Sequence, residues 1–180
     1  MKALKEIGIK KAFRFCFGTL VYMGFRLVPL PQLRVIYLRI VGAKIGRDCT
    51  IHSVKFFNYY RVGFSALKMG KECFLGNDVL LDLAAPITLG DQVTLAEKAT
   101  IITHLNVGFK DHPLQKKFPT QTNPVKIESG CFVGVNAVIL DGVNIGAKSF
   151  IAASSLVKDS VPAHSLVGGV PAKVLKDLKS

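Results

Sequence analysis

From Ile127 onward a large apolar residue recurs every six positions: Ile127, Val133, Ile139, Ile145, Ile151 and Val157. Four places after each stands a small or β-branched residue: Cys131, Ala137, Val143, Ser149, Ser155 and Val161. The same frame runs upstream through Met69, Leu75 and Leu81, with Cys73, Val79 and Ala85 as the small partners. Ile45 and Cys49 belong to it too, 24 residues before Met69 and Cys73. After Leu81 the frame slips by two at the Pro86 step and resumes at Leu89, Leu95 and Ile101. A six-residue period matches neither the helical repeat nor simple strand alternation. It fits short strands joined by tight turns, each strand turning one large and one small side chain inward. Three strands close a triangular coil of 18 residues in this frame. One coil cannot bury its inner face alone, so coils must stack. The pattern therefore predicts an all-β solenoid over residues 45–168, with 169–180 as a short C-terminal tail.

The first 44 residues follow a different rule. Their longest uncharged apolar stretch, Phe15–Phe25, has 11 residues. A spanning helix needs about 20. Arg14 and Arg26 flank that stretch closely and no A-x-A site follows, which argues against a signal peptide. Pro29 and Pro31 break the pattern, and PQLRVIYLRI resumes it with apolar residues at helical spacing. Two readings are open for this helical segment. It is a basic amphipathic hairpin on an anionic membrane face, or a pair of helices capping one end of the core.

Charge bears on that choice. The net charge of the 180-residue chain is +12, but residues 1–47 hold ten Lys and Arg against Glu6 alone. Residues 48–180 hold fourteen basic and eleven acidic residues. The basic signal thus belongs to the N-terminal segment, and no nucleic-acid partner is assigned to the coil. The four cysteines, at 16, 49, 73 and 131, form no CxxC pair and no Cys/His cluster. Disulfide and zinc readings are both weak. Cys49, Cys73 and Cys131 fall at the small inward position, where Cys acts as a small hydrophobe. A reducing, cytoplasmic setting follows, with the inner face of the membrane as the place for residues 1–44 if they bind lipid.

Between Ile101 and Val125 the hexads stop, and the loop 104–125 begins with His104 and contains His112. Loops this long in a compact fold are usually functional or disordered. Histidine takes up a proton near neutral pH without large tuning, as a general base in acyl transfer must. His112 reads as substrate-side or merely solvated; His52 and His164 read as structural. No full P-loop is present, and no G-x-S-x-G elbow supports a serine acyl-enzyme.

The six unbroken hexads, followed by VPAHSLVGGVPAKVLK, resemble the hexapeptide-repeat acyltransferases, in particular sugar and maltose O-acetyltransferases. The first 44 residues, ending in LRIVGAKIG, look more like the lead-in of acetyltransferases of surface-polysaccharide synthesis. The resemblance covers roughly residues 45–176. It implies a left-handed parallel β-helix, acetyl-CoA as the acyl donor, no metal, and a cyclic homotrimer with active sites between neighbours.

The same resemblance implies site residues. His104 stands where the family's general base ends the last repeat before the loop. Asn77 in GNDVLLD matches an acceptor-site Asn and Asp82 a following acid. Asp82, next to inward Leu81, is expected to point outward and to orient His104 or bind acceptor hydroxyls. Ala153 takes the place of a backbone contact to the pantetheine arm. Lys173 and Lys176 take the places of two phosphate-binding Arg. Two departures stand out: Lys158 is displaced by one residue from the family's lysine, and Val135 replaces a frequent Ser. The activity implied is O-acetylation of a sugar hydroxyl in surface polysaccharide or glycolipid assembly. Acetylation of an amino sugar nucleotide, or a membrane-held scaffold without activity, is the alternative.

Overall fold

The computed structural model describes residues 9–179. Two helices lead into the coil: α1, Ile9–Leu27, and α2, Pro31–Ile40. Pro31 opens α2 at a position whose N–H has no intrahelical partner, so its ring costs nothing there. The helices cap the first coil. Phe25, Val35 and Leu38 are buried, Tyr37 donates its hydroxyl to Val21 O at 2.6 Å, and Phe25 meets Phe56 edge-on.

The rest is a three-faced, left-handed parallel β-helix. It is an exception to the right-handed habit of parallel crossovers. The first face stacks Lys44–Ile45, Leu67–Met69, Ile87–Leu89, Val125–Ile127 and Asn144–Ile145. The second stacks Thr50–Ile51, Phe74–Leu75, Thr94–Leu95, Phe132–Val133, Phe150–Ile151 and Ser165–Gly168. The third stacks Lys55–Phe57, Leu80–Asp82, Thr100–Ile101, Val138–Ile139 and Leu156–Val157.

Register makes the six-residue period into a core. Met69, Leu89, Ile127 and Ile145 lie directly above one another, as do Leu75, Leu95, Val133 and Ile151. All are buried. Removing such a side chain from water contributes roughly 1.5–3 kcal/mol each. The small positions line the turns. The thiols of Cys49, Cys73 and Cys131 donate to Gly70 O, Gly90 O and Gly146 O in the neighbouring coil, at 3.2, 3.1 and 3.1 Å.

The turns stack as well. Asp48, Glu72, Gln92, Lys148 and His164 occupy equivalent turn positions with φ between 54° and 58°. His164 is thus a turn residue. His52 packs its ring on Phe74, with centroids 5.2 Å apart. At Gly146 an added Cβ would lie 2.4 Å from Ala163 N, so coil stacking there requires glycine.

Lys173–Asp177 forms a strand antiparallel to Ser165–Gly168. The last coil would otherwise present an unpaired edge on the second face, and this strand covers it.

The departures from an 18-residue coil fall at one corner. Where the third face returns to the first, the regular step between inward residues is six, as from Ile139 to Ile145. At the same corner the step is thirteen from Phe56 to Met69, eight from Leu81 to Leu89 and twenty-six from Ile101 to Ile127. The first excess forms the short helix α3, Tyr59–Val62, and the 3-10 turn Phe64–Ala66. The third is the long loop, tied at its base by antiparallel pairing of His104–Leu105 with Gln121–Thr122.

Candidate active site

The three excess segments converge on Asp82 and His104. Asp82 ends its third-face strand, and its side chain is fully buried. Alternation with inward Leu81 sets Asp82 on the side away from the core, but the insertion at 58–66 and the start of the long loop close over it, so it is not solvent-exposed. Its carboxylate is satisfied by four donors. Oδ1 accepts from Asn58 Nδ2 at 2.8 Å and Ala84 N at 3.1 Å. Oδ2 accepts from Thr103 N at 2.9 Å and His104 Nδ1 at 2.5 Å. Burial pushes the Asp82 carboxyl upward, but the hydrogen bonds from Asn58, His104 and Thr103 outweigh it and hold the group below its ordinary value. Asp82 is therefore an anion at neutral pH.

An anion accepts and does not donate, so the proton on His104 belongs to Nδ1. That leaves Nε2 with its lone pair. Asn58 Nδ2 approaches Nδ1 to 3.4 Å, but both are donors aimed at the same carboxylate. The His104 ring also packs edge-on against Phe57, with centroids 6.0 Å apart. Its side chain is 22 % exposed, enough for a reactant to reach it. A buried acid, a fixed tautomer and an open ring nitrogen together leave Nε2 free to accept a proton from a group that reaches it.

Asn58 and Tyr60 join the Asp82–His104 pair through hydrogen bonds, and the sequence reading did not single out either. Asn58 takes a left-handed backbone conformation, φ 56°, which Asn tolerates better than most residues. Its Oδ1 accepts from the Tyr60 hydroxyl at 3.1 Å. The 24-residue first coil was the available signal: extra residues at the His104 corner had to lie near it.

The other predicted residues separate into groups. Asn77 sits at the opposite end of Asp82's strand, exposed in the turn between the second and third faces, with Oδ1 3.4 Å from Ser53 N. His112 is exposed in the long loop, and its Nδ1 accepts from Leu114 N at 3.1 Å. Val135 and Ala153 are exposed neighbours in the Asn77 turn column, linked where Ser154 N donates to Val135 O at 2.8 Å. Lys158 lies beyond the third-face strand, at the His104 corner, and pairs with Asp159 at 2.6 Å. Lys173 and Lys176 are exposed on the closing strand. No group of three or more metal-ligating side chains occurs among the described residues.

WcaF of Escherichia coli (strain K12), whose name assigns it to acetyl transfer in colanic acid biosynthesis, is 31 % identical over 149 residues, 82 % of this chain and 76 % of that one. The chain belongs to the hexapeptide-repeat acetyltransferase family. The family profile for the hexapeptide repeat of succinyl-transferase matches residues 124–157. The hexapeptide-repeat acetyltransferase VCA0836 of Vibrio cholerae superposes with a TM-score of 0.82 and 24 % identity, over 98 % of this chain and all of that one, a likeness of fold. The same protein solved with acetyl coenzyme A, from Vibrio cholerae O1 biovar eltor, gives 0.78 and 27 %, over 91 % and 86 % of the two chains.

Proposed function

We propose that this protein transfers an acetyl group from acetyl-CoA to a sugar hydroxyl during surface polysaccharide or glycolipid assembly. The observation that carries the chemistry is the contact of buried Asp82 Oδ2 with His104 Nδ1 at 2.5 Å. His104 Nε2 takes the acceptor's hydroxyl proton as the new C–O bond forms at the thioester carbonyl. It returns that proton to the sulfur as the C–S bond breaks, giving the ester and the free thiol. Asp82 holds the ring and stabilises the transient imidazolium without itself taking the proton. Likeness to WcaF and to a relative solved with acetyl coenzyme A supports the donor and the setting.

In this reading Val135 and Ala153 flank the pantetheine arm, and Lys173 and Lys176 meet the coenzyme phosphates as point charges. Asn77, at the far corner, contacts the acceptor, and His112 approaches it from the loop. The assembly is a cyclic homotrimer, and the catalytic unit spans residues 45–168. The test is release of free thiol from acetyl-CoA across a panel of sugar acceptors, with His104→Ala and His112→Ala beside the unaltered chain. The expected result is turnover that falls about 10²–10⁴-fold for His104→Ala only. No turnover with any acceptor and no coenzyme binding would favour a scaffold.

A further inference from the structure

The two N-terminal helices carry two apolar stripes each, and the coil covers only one of them. On α1, Val21, Tyr22 and Phe25 pack inward. Phe13, Phe17, Leu20, Met23 and Leu27 recur at helical spacing on the opposite side, each between 56 % and 83 % exposed. On α2, Val35 and Leu38 are buried, whereas Leu33, Ile36 and Ile40 face out, 46 % to 78 % exposed. Leu30, in the turn between the helices, is exposed too. Ten of the twenty-one exposed large hydrophobics among the described residues lie between Phe13 and Ile40. An apolar surface of this extent on a folded chain marks a contact with a partner or a membrane.

Charge selects the occupant. Residues 9–47 contain eight Lys and Arg and no Asp or Glu. By helical spacing Arg26 borders the bare stripe of α1 and Arg39 that of α2, whereas Arg14 and Arg34 lie in line with inward Val21 and Leu38. Arg14, Arg34 and Arg39 donate to the backbone carbonyls of Arg61, Val28 and Ile45, which fixes them without neutralising them. Apolar side chains bordered by uncompensated cations fit an interface of acyl chains beneath anionic headgroups. Among the described residues no helix is long and apolar enough to cross a membrane.

We infer that the outward face of α1 and α2 docks this protein on an anionic lipid bilayer. The docking residues differ from those that aromatic content alone picks out. Tyr22 and Phe25 belong to the core, and Phe15 rests edge-on against Tyr60 at 5.4 Å. Phe17 and Ile40, from the two stripes, also line a cavity of about 500 Å³ floored by Tyr59, Tyr60 and Phe64. The docked face therefore adjoins α3, whose preceding residue, Asn58, holds Asp82.

The experiment is flotation of the full chain with vesicles of equal parts phosphatidylcholine and phosphatidylglycerol, and with phosphatidylcholine alone. The full chain floats with the anionic vesicles and binds the neutral ones more weakly. Leu20→Ser, Leu27→Ser and Ile36→Ser together reduce anionic binding at least tenfold while the melting temperature holds. Arg26→Gln weakens anionic binding about fivefold and leaves neutral binding unchanged. A full chain that ignores anionic vesicles overturns the inference, as does a triple variant that floats like the parent. Sedimentation velocity supplies the rival outcome. If the triple substitution abolishes a concentration-dependent association of the chain in the absence of lipid, the stripe is covered by a second copy and the lipid assignment fails.

Discussion

Asn58 donates to Asp82 Oδ1 at 2.8 Å from a position one coil earlier in the third-face stack. Through that bond the first coil positions the acid of the second, which in turn holds His104 at the end of the third. In the proposed reaction Asn58 is a positioning residue, since its amide is spent on Asp82. Asn58→Gly keeps the left-handed backbone accessible and deletes the amide. It is expected to lower kcat about ten- to a hundredfold with the KM for acetyl-CoA unchanged. A hydrogen bond to a charged group contributes about 1.5–3 kcal/mol, so the melting temperature falls as well. Tyr60→Phe removes only the support of Asn58 Oδ1 and causes a smaller loss of the same kind. A proportional rise in KM would show that Asn58 acts on substrate binding instead.

Asp82 also makes acid stability a test of the site. Its folded-state pKa is held below the unfolded value, so the unfolded chain binds more protons as the pH falls through that window. The stabilisation is complete above the unfolded carboxylate range, about pH 4, and is lost as pH drops further toward the folded value. Asp82→Asn is expected to melt lower at neutral pH and to show a flatter dependence of melting temperature on pH below about pH 5. Its amide can donate to Nδ1 and favour the wrong tautomer, so kcat falls steeply. An acid profile parallel to that of the parent would exclude a stabilising Asp82 anion.

Lys173 and Lys176 stand three residues apart on the closing strand, opposite Gly168 and Leu166. If they read the coenzyme phosphates, replacing both with Ala weakens acetyl-CoA more than an analogue lacking the ribose phosphate. Equal weakening of both ligands, by titration, would mean that these lysines do not meet that phosphate.

The thiols offer a check on coil packing that is independent of catalysis. Burial pushes the Cys73 thiol up to about 11, and burial likewise raises Cys131. Cys49 is buried, whereas Cys16 is exposed on α1. A thiol reagent is expected to label one cysteine quickly in the folded chain and the other three only on denaturation. Fast labelling of a second thiol would mean that the coils open.

The coil itself was legible in the sequence because stacking repeats one local demand in every turn. A large residue every six places, with a small one four later, leaves few alternatives once each inner face must be buried by its neighbours. His104 was conspicuous for the same reason, as the residue on which the repeat breaks. What the linear pattern left open depends on contacts between coils. Asp82 alternates with inward Leu81 and so reads as outward. It is buried because segments 24 residues upstream and 21 downstream, at Asn58 and Thr103, close over it and supply the donors a buried carboxylate requires. The N-terminal helices show the same division. Their sequence states that they are amphipathic and basic. Only the packed structure decides which apolar stripe faces the coil, because two stripes of similar apolarity compete and the shape of the first coil admits Phe25, Val35 and Leu38.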